Sequence, residues 1–215
     1  MKFISEFETL GEMEIGEKEI HLISASPRRR EMMKYLGPAH FGTATIDEGR
    51  LTKIYREEHK NLEDLPAYLS LKKALAVQAP PNSLIVTADT VVILGDTLLG
   101  KPHSQKEEED MLRSLFGKKH KVVTGFTLRD GQSFRAYTAY SIVEFVEYKE
   151  YLEPEIKKYL AQRGGKGKAG AYGIQDIHPY FIRCIYGDYN TIVGLPITAV
   201  REKLHENGWI NPWQK

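Results

Sequence analysis

Cysteine is almost missing from this chain: Cys184 is the only one among 215 residues. No disulfide can form within the chain, which fits a reducing cytosol. Flanked by Arg183 and Ile185 in a strand-like run, Cys184 reads as a buried strand thiol rather than a nucleophile. A charge excess is missing too, since 30 basic and 29 acidic residues leave a net charge of +1. That balance excludes general binders of nucleic acid and of membrane surfaces, so any basic site must be local. Long apolar runs are absent. The longest, residues 84–94, is too short to span a bilayer and contains Asp89. Residues 1–19 are rich in glutamate and lack the apolar core of a signal peptide. The seven histidines show no metal-ligand spacing, and His120 and His178 read as structural or exposed. The expectation is a cytoplasmic protein that engages neither membrane nor nucleic acid.

What is present is enough apolar material, 41% of residues, for a real core in one domain or one two-lobed domain. Residues 20–23 read as a strand, and residues 27–36 as a helix capped by Ser26 and stopped at Gly37-Pro38. Residues 41–46 read as a strand ending at Asp47-Glu48-Gly49, and residues 61–79 as a helix ended by Pro80-Pro81. Residues 83–88 form a buried strand that continues through 91–94 to a turn at Gly95-Asp96. A helix begins at Ser104 and ends at Gly117. Residues 120–128 and 133–148 make a long hairpin about Asp130-Gly131. A helix opened by Pro154, a Gly- and Lys-rich loop at 166–170, a strand at 180–186 and a helix at 197–206 complete the order. Interleaved helices and hairpins indicate an α/β fold with a long mixed sheet.

Three arginines, Arg28, Arg29 and Arg30, follow the Ser26-Pro27 helix start. A helix N-terminus carries partial positive charge and unpaired N–H groups, so cations there cost stability unless something anionic binds. Oligophosphate is the obvious ligand. The helix at Ser104 is the contrast, because its Gln-Lys-Glu-Glu-Glu-Asp start suits the dipole. A solvated arginine cluster is the other reading.

Asp89 is the second signal. It lies in Leu84-Ile85-Val86-Thr87-Ala88-Asp89-Thr90-Val91-Val92, where a carboxylate is costly to bury unless paired, metal-bound or open to a site. It reads as a general base or metal ligand, against a turn aspartate or structural ion pair. Thr90 and the nearby Gly100-Lys101-Pro102 give it company. One of Lys72 and Lys73 can project toward the same strand end, and Asp47-Glu48 can add a second carboxylate for a divalent ion. In the loop at 169–175, Tyr172 can stack on a base and Gln175 can read its edge. Tyr137, Tyr140, Tyr148 and Tyr151 read as hairpin packing.

Taken together these stretches resemble the Maf family of nucleoside triphosphate pyrophosphatases. The matching segments are Ser24-Ala25-Ser26-Pro27-Arg28-Arg29, Lys73-Ala74, Ala88-Asp89-Thr90-Val91-Val92, Gly100-Lys101-Pro102, His120 with Thr124-Gly125, residues 168–175, and Val193-Gly194-Leu195-Pro196. The resemblance implies a fold shared with inosine-triphosphate pyrophosphatases: a long mixed sheet flanked by helices, in two lobes with a cleft. It divides the chain into an extension over residues 1–19 and one catalytic domain over 20–215. It implies cleavage of a nucleoside triphosphate between the α and β phosphates, with a Mg²⁺ or Mn²⁺ ion and a homodimeric state. Asp89 then takes the proton-acceptor position and Glu48 an acidic active-site position, and the two carboxylates are the candidate metal ligands. Ser24, Arg29, Lys73, Lys101 and Lys168 fall on substrate-contact positions, and Arg28, Thr90 and Gln175 on positions that separate substrate subgroups. Arg28 and Gly173-Ile174-Gln175 place the chain with the dTTP/UTP subgroup. Cleavage of 7-methyl-GTP and non-catalytic regulation of septum formation are the alternatives. Where the family usually has an acid before Lys168-Ala169-Gly170, this chain has Gly167.

Overall fold

The structure is a computed structural model that describes residues 18–59 and 61–209, together with the backbone of residues 2–9. The strands are β1 (Lys2–Thr9), β2 (Glu19–Ile23), β3 (Ala39–Gly42), β4 (Ser83–Leu94), β5 (Thr97–Leu99), β6 (Lys119–Asp130), β7 (Ser133–Phe145) and β8 (Ile182–Tyr186). The helices are α1 (Pro27–Met33), α2 (Glu48–Glu58), α3 (Leu65–Leu75), α4 (Gln105–Leu115), α5 (Glu153–Ala161), α6 (Tyr189–Val193) and α7 (Ile197–Glu206). The strands form one mixed sheet in the order β1-β7-β6-β4-β2-β3, with β5 on β4 and β8 on β7. β2 runs parallel to both β3 and β4, whereas β1 and β8 pair β7 antiparallel. The α/β class and the mixed sheet agree with the sequence expectation.

The chain divides into two compact units. The first comprises Met1–Asp89, Thr124–Ala139 and Gly194–Lys215, and the second Thr90–Val123 and Tyr140–Val193. In the first, helix α3 starts behind Pro66 and is buried round most of its circumference, through Leu65, Ala67, Leu69, Leu71 and Ala74. Burying a leucine such as Leu65 or Leu84 contributes roughly 1.5–3 kcal/mol. The helix is pinned by hydroxyls as well as by apolar contact. Thr87 Oγ1 of β4 donates to the Ser70 carbonyl at 2.7 Å, and Ser70 Oγ lies 2.6 Å from Thr127 Oγ1 of β6. Arg129 closes its far end by donating to the carbonyls of Ala74 and Val77.

In the second unit, Leu112, Leu115, Phe116, Phe145, Leu152, Ile156 and Phe181 belong to one core. Phe116 meets Phe145 and Phe181 edge-on at 5.5 and 5.2 Å, an arrangement aromatic quadrupoles favour. Helix α4 starts as expected, with Ser104 Oγ accepting from the Glu107 N–H at 3.1 Å. The Glu107 carboxylate, however, takes the N–H of His103 rather than that of Ser104.

Several expectations need correction. Helix α1 stops at Met33, not Leu36, and β3 covers only Ala39–Gly42. Asp47-Glu48-Gly49 is not the end of a strand. It is the start of α2, with Asp47 Oδ1 accepting from the Arg50 N–H at 2.9 Å. Only Tyr55 of α2 is buried, so the helix has almost no apolar stripe to reveal it. Cys184 is half-buried rather than buried, and β8 begins at Ile182 after a short helical turn. Tyr137 packs inside as expected, whereas Tyr140, Tyr148 and Tyr151 are exposed. Of the expected N-terminal extension, residues 1 and 10–17 lie outside the described residues. Among the described residues no helix is long and apolar enough to cross a membrane.

Candidate active site

Helix α3 and strand β4 place two side chains against each other at successive rungs. Thr87 and Asp89 lie on one face of β4, two residues apart. Ser70 and Lys73 lie on one face of α3, three apart. The Thr87–Ser70 hydrogen bond therefore sets up the next contact, in which the Lys73 ammonium donates to Asp89 Oδ2. Lys73 Nζ also lies 2.8 Å from Glu48 Oε1 at the first turn of α2. One ammonium thus sits between two carboxylates. The Asp89 side chain is only 9% exposed and that of Glu48 35%, so the pair is sheltered at one end and open at the other.

Arg29 completes this group from α1. Its Nε donates to the Gly194 carbonyl at 2.7 Å and its Nη1 to the Ala88 carbonyl at 2.9 Å. Burial pulls the guanidinium below its ordinary pKa range, while Asp89 and Glu48 act to hold it up and Arg28 adds to the lowering. An arginine titrates so far above neutrality that it remains a cation. Ser24 follows β2, is buried, and its Oγ accepts the Ser26 N–H at 3.1 Å. Ser26 caps α1 by accepting from the Arg29 N–H, as its position predicts.

The arginine cluster is therefore not held by an anion alone. Arg29 is seated on two backbone carbonyls. Arg30 donates to the Ser24 carbonyl at 3.0 Å and lies over the Phe41 ring. These partners offset part of the cost of cations at a helix start. Arg28 is half-buried beside them.

The remaining sequence candidates belong to the second unit. Thr90 is half-buried on β4, and Lys101 and Gln175 are exposed. Gly100, next to Lys101, accepts the Gly170 N–H at 3.1 Å, which ties the Gly-Lys-Pro segment to the glycine loop. Lys168 Nζ donates to the Gly164 carbonyl and pairs with Asp176 at 2.8 Å. Gly167, where an acid was expected, has φ of +72°, a left-handed conformation that favours glycine.

Tyr172 belongs to the core rather than to an open ligand surface. It is buried against Phe145 and His120, and its hydroxyl lies 2.7 Å from His120 Nε2. Burial pulls the His120 imidazole down to about 4 and holds the Tyr172 phenol above its usual range. Glu108 is another residue the sequence did not single out. Fully buried, it accepts from Arg163 Nε at 2.8 Å and from the Gly165 N–H at 2.9 Å, fixing the start of the glycine loop. Nothing in its amphipathic helix pattern distinguishes it from its acidic neighbours.

The donor set at Glu48 and Asp89 suits a hard divalent ion. Both offer carboxylate oxygen, and both already converge on one cationic atom, Lys73 Nζ.

Comparison with known proteins agrees with this arrangement. A family model described as Maf-like protein matches residues 19–207. A dTTP/UTP pyrophosphatase of Pyrococcus abyssi is 39% identical over 185 residues, covering 85% of this chain and 93% of the relative. One of Pelotomaculum thermopropionicum is 37% identical over 197 residues, covering 89% and 98%. One of Thermotoga maritima is 36% identical over 193 residues, covering 88% and 90%. With the family model spanning nearly every described residue and relatives this similar along almost their whole length, the chain belongs to the Maf-like protein family.

Proposed function

We propose that this chain is a nucleoside triphosphate pyrophosphatase that cleaves dTTP and UTP to the monophosphate and pyrophosphate, clearing nucleotides from the pool. The names of its relatives support the substrate class. The observation that carries the chemistry is the Lys73 ammonium held between Glu48 and Asp89, with Arg29 anchored one residue before Asp89.

Attack of water on a triphosphate fails in solution because the phosphorus is screened by negative oxygens. The protein's part is to neutralise them and to take the water's proton. Asp89 is the proton acceptor. Lys73 keeps its carboxylate aimed until the triphosphate draws the ammonium to itself. Ser24, Arg28 and Arg29 contact phosphate oxygens. Lys101 and Lys168 act as phosphate contacts, and Thr90 and Gln175 select the base. Lys73 and Arg29 already balance Glu48 and Asp89 in charge, so a polyanionic substrate needs further positive charge. Glu48 and Asp89 would hold Mg²⁺ or Mn²⁺, which supplies that charge and polarises a phosphoryl oxygen.

We extend the proposal to a two-lobed catalytic domain over residues 20–215 of the inosine-triphosphate-pyrophosphatase type, with an extension over 1–19, acting as a cytoplasmic homodimer. Incubation with dTTP, UTP, 7-methyl-GTP and the other common triphosphates in Mg²⁺, with pyrophosphate as the readout, tests the function. Preferential release from dTTP and UTP is expected. Preference for 7-methyl-GTP, or binding without cleavage as a septum regulator would show, would overturn it.

A further inference from the structure

We propose that Glu19, His21 and His40 form a second metal site, for a borderline divalent transition metal such as Zn²⁺, apart from the carboxylates of the catalytic reading. β2 and β3 are parallel neighbours in which His21 stands directly opposite His40. Side chains directly opposite in a parallel pair share a face, and so do residues two apart on one strand, which brings Glu19 to the same face as His21. The structure brings the three together accordingly. One ligand atom from each lies within 4.8 Å of the others. The imidazoles stack with centroids 4.6 Å apart, and Glu19 Oε2 lies 3.8 Å from His21 Nε2 and 3.6 Å from His40 Nε2. These separations are longer than hydrogen bonds and close to what a shared ion with bonds of about 2 Å would span after small rotamer changes.

A second observation points to a ligand. His21 Nε2 is buried and has no hydrogen-bond partner among the described residues. Buried polar nitrogens are normally satisfied, and this one has the Glu19 carboxylate 3.8 Å away, too far for a hydrogen bond. His40 is well exposed on β3, the end strand of the β4-β2-β3 series, so an ion has a path of entry. The next residue, Phe41, points to the opposite face, where it carries Arg30, so that cation does not oppose metal binding.

The donor set chooses the metal. Two imidazoles and one carboxylate suit zinc-like ions, whereas Mg²⁺ and Ca²⁺ prefer all-oxygen sites. Water would fill the fourth position. The triad begins β2 and Ser24 follows its end, so three residues, or roughly 10 Å of strand, separate His21 from Ser24. A bound ion would tie β3 to β2 and stiffen the sheet edge without taking part in phosphate cleavage. The sequence pattern missed this because the histidines are nineteen residues apart and become neighbours only through parallel pairing.

The test is Zn²⁺ titration by calorimetry of the tag-free, chelator-stripped full chain in excess Mg²⁺, which occupies carboxylate sites. Wild type and Glu48→Gln should each bind one Zn²⁺ per chain. His40→Ala and Glu19→Gln should bind at least ~10-fold more weakly, since loss of even an outer-shell partner costs that much. Both of these variants should keep wild-type pyrophosphate release and fold. Absence of Zn²⁺ binding in the wild type, equal binding by His40→Ala, or loss of binding in Glu48→Gln would overturn the proposal.

Discussion

The Arg29 guanidinium donates a 2.9 Å hydrogen bond to the carbonyl of Ala88, the residue immediately before Asp89. The contact joins the start of α1 to the strand that carries the proposed base. It also explains how an arginine tolerates a helix N-terminus, since its charge is spent on backbone carbonyls of Ala88 and Gly194.

Arg29→Lys should therefore not behave as a conservative change. A lysine keeps the charge but lacks the planar fork that reaches two carbonyls at once. Urea unfolding should show a loss of about 1–3 kcal/mol, the cost of leaving buried carbonyls unpaired. Pyrophosphate release should fall with it. Unchanged stability would mean that the two carbonyl contacts are incidental.

Thr87→Val is nearly isosteric and removes only the hydrogen bond from β4 to the Ser70 carbonyl. The expected stability loss is about 1 kcal/mol. Because Ser70 and Lys73 share a helix face, kcat should fall more than the modest stability loss explains, with KM little changed. A variant with wild-type kcat would show that apolar packing alone positions Lys73.

Gly125→Ala should damage the same helix from the other side. A Cβ built on Gly125 collides with the backbone of Pro66 and Ala67 at the start of α3, and backbone cannot step aside cheaply. A destabilisation of about 1–3 kcal/mol is expected, read as a lower urea midpoint. Wild-type stability would contradict this close approach of α3 to β6.

How much of this was legible beforehand depended on whether the signal was local. Ser26 and Ser104 announced their caps, Asp130-Gly131 its turn and Asp89 its conflict with an apolar strand, each from a few adjacent residues. Helix α2 was hidden because it buries one residue and its Asp47 cap resembles a turn. Tyr172 was misread because the glycines around it suggest a ligand loop, while its burial is decided by distant Phe145 and His120. The seats of Arg29 on Ala88 and Gly194 could not be read at all. Backbone carbonyls have no sequence signature, and Gly194 is 165 residues from Arg29.

His120 makes stability depend on pH. Burial lowers its folded-state value to about 4, below the ordinary 6.5 of an unfolded histidine. Between these values the unfolded chain binds the proton that the folded chain refuses. Its contribution is complete above pH 6.5, is lost as pH falls toward 4, and amounts to about 3 kcal/mol in all. His120→Gln keeps a polar group near the Tyr172 hydroxyl but does not titrate. Its urea midpoint should fall less steeply than that of wild type over this range. Parallel curves would show that His120 takes up its proton equally in both states.

The central claim is that Asp89 accepts the proton of the attacking water while Lys73 and Arg29 hold the charge around it. The most direct measurement is turnover of dTTP and UTP by Asp89→Asn in Mg²⁺, alongside nucleotide binding and thermal unfolding of the same variant. Asparagine preserves shape and removes basicity, so turnover should drop by at least ~100-fold while fold and nucleotide binding persist. Turnover within a few-fold of wild type would contradict the assignment of Asp89 as the base.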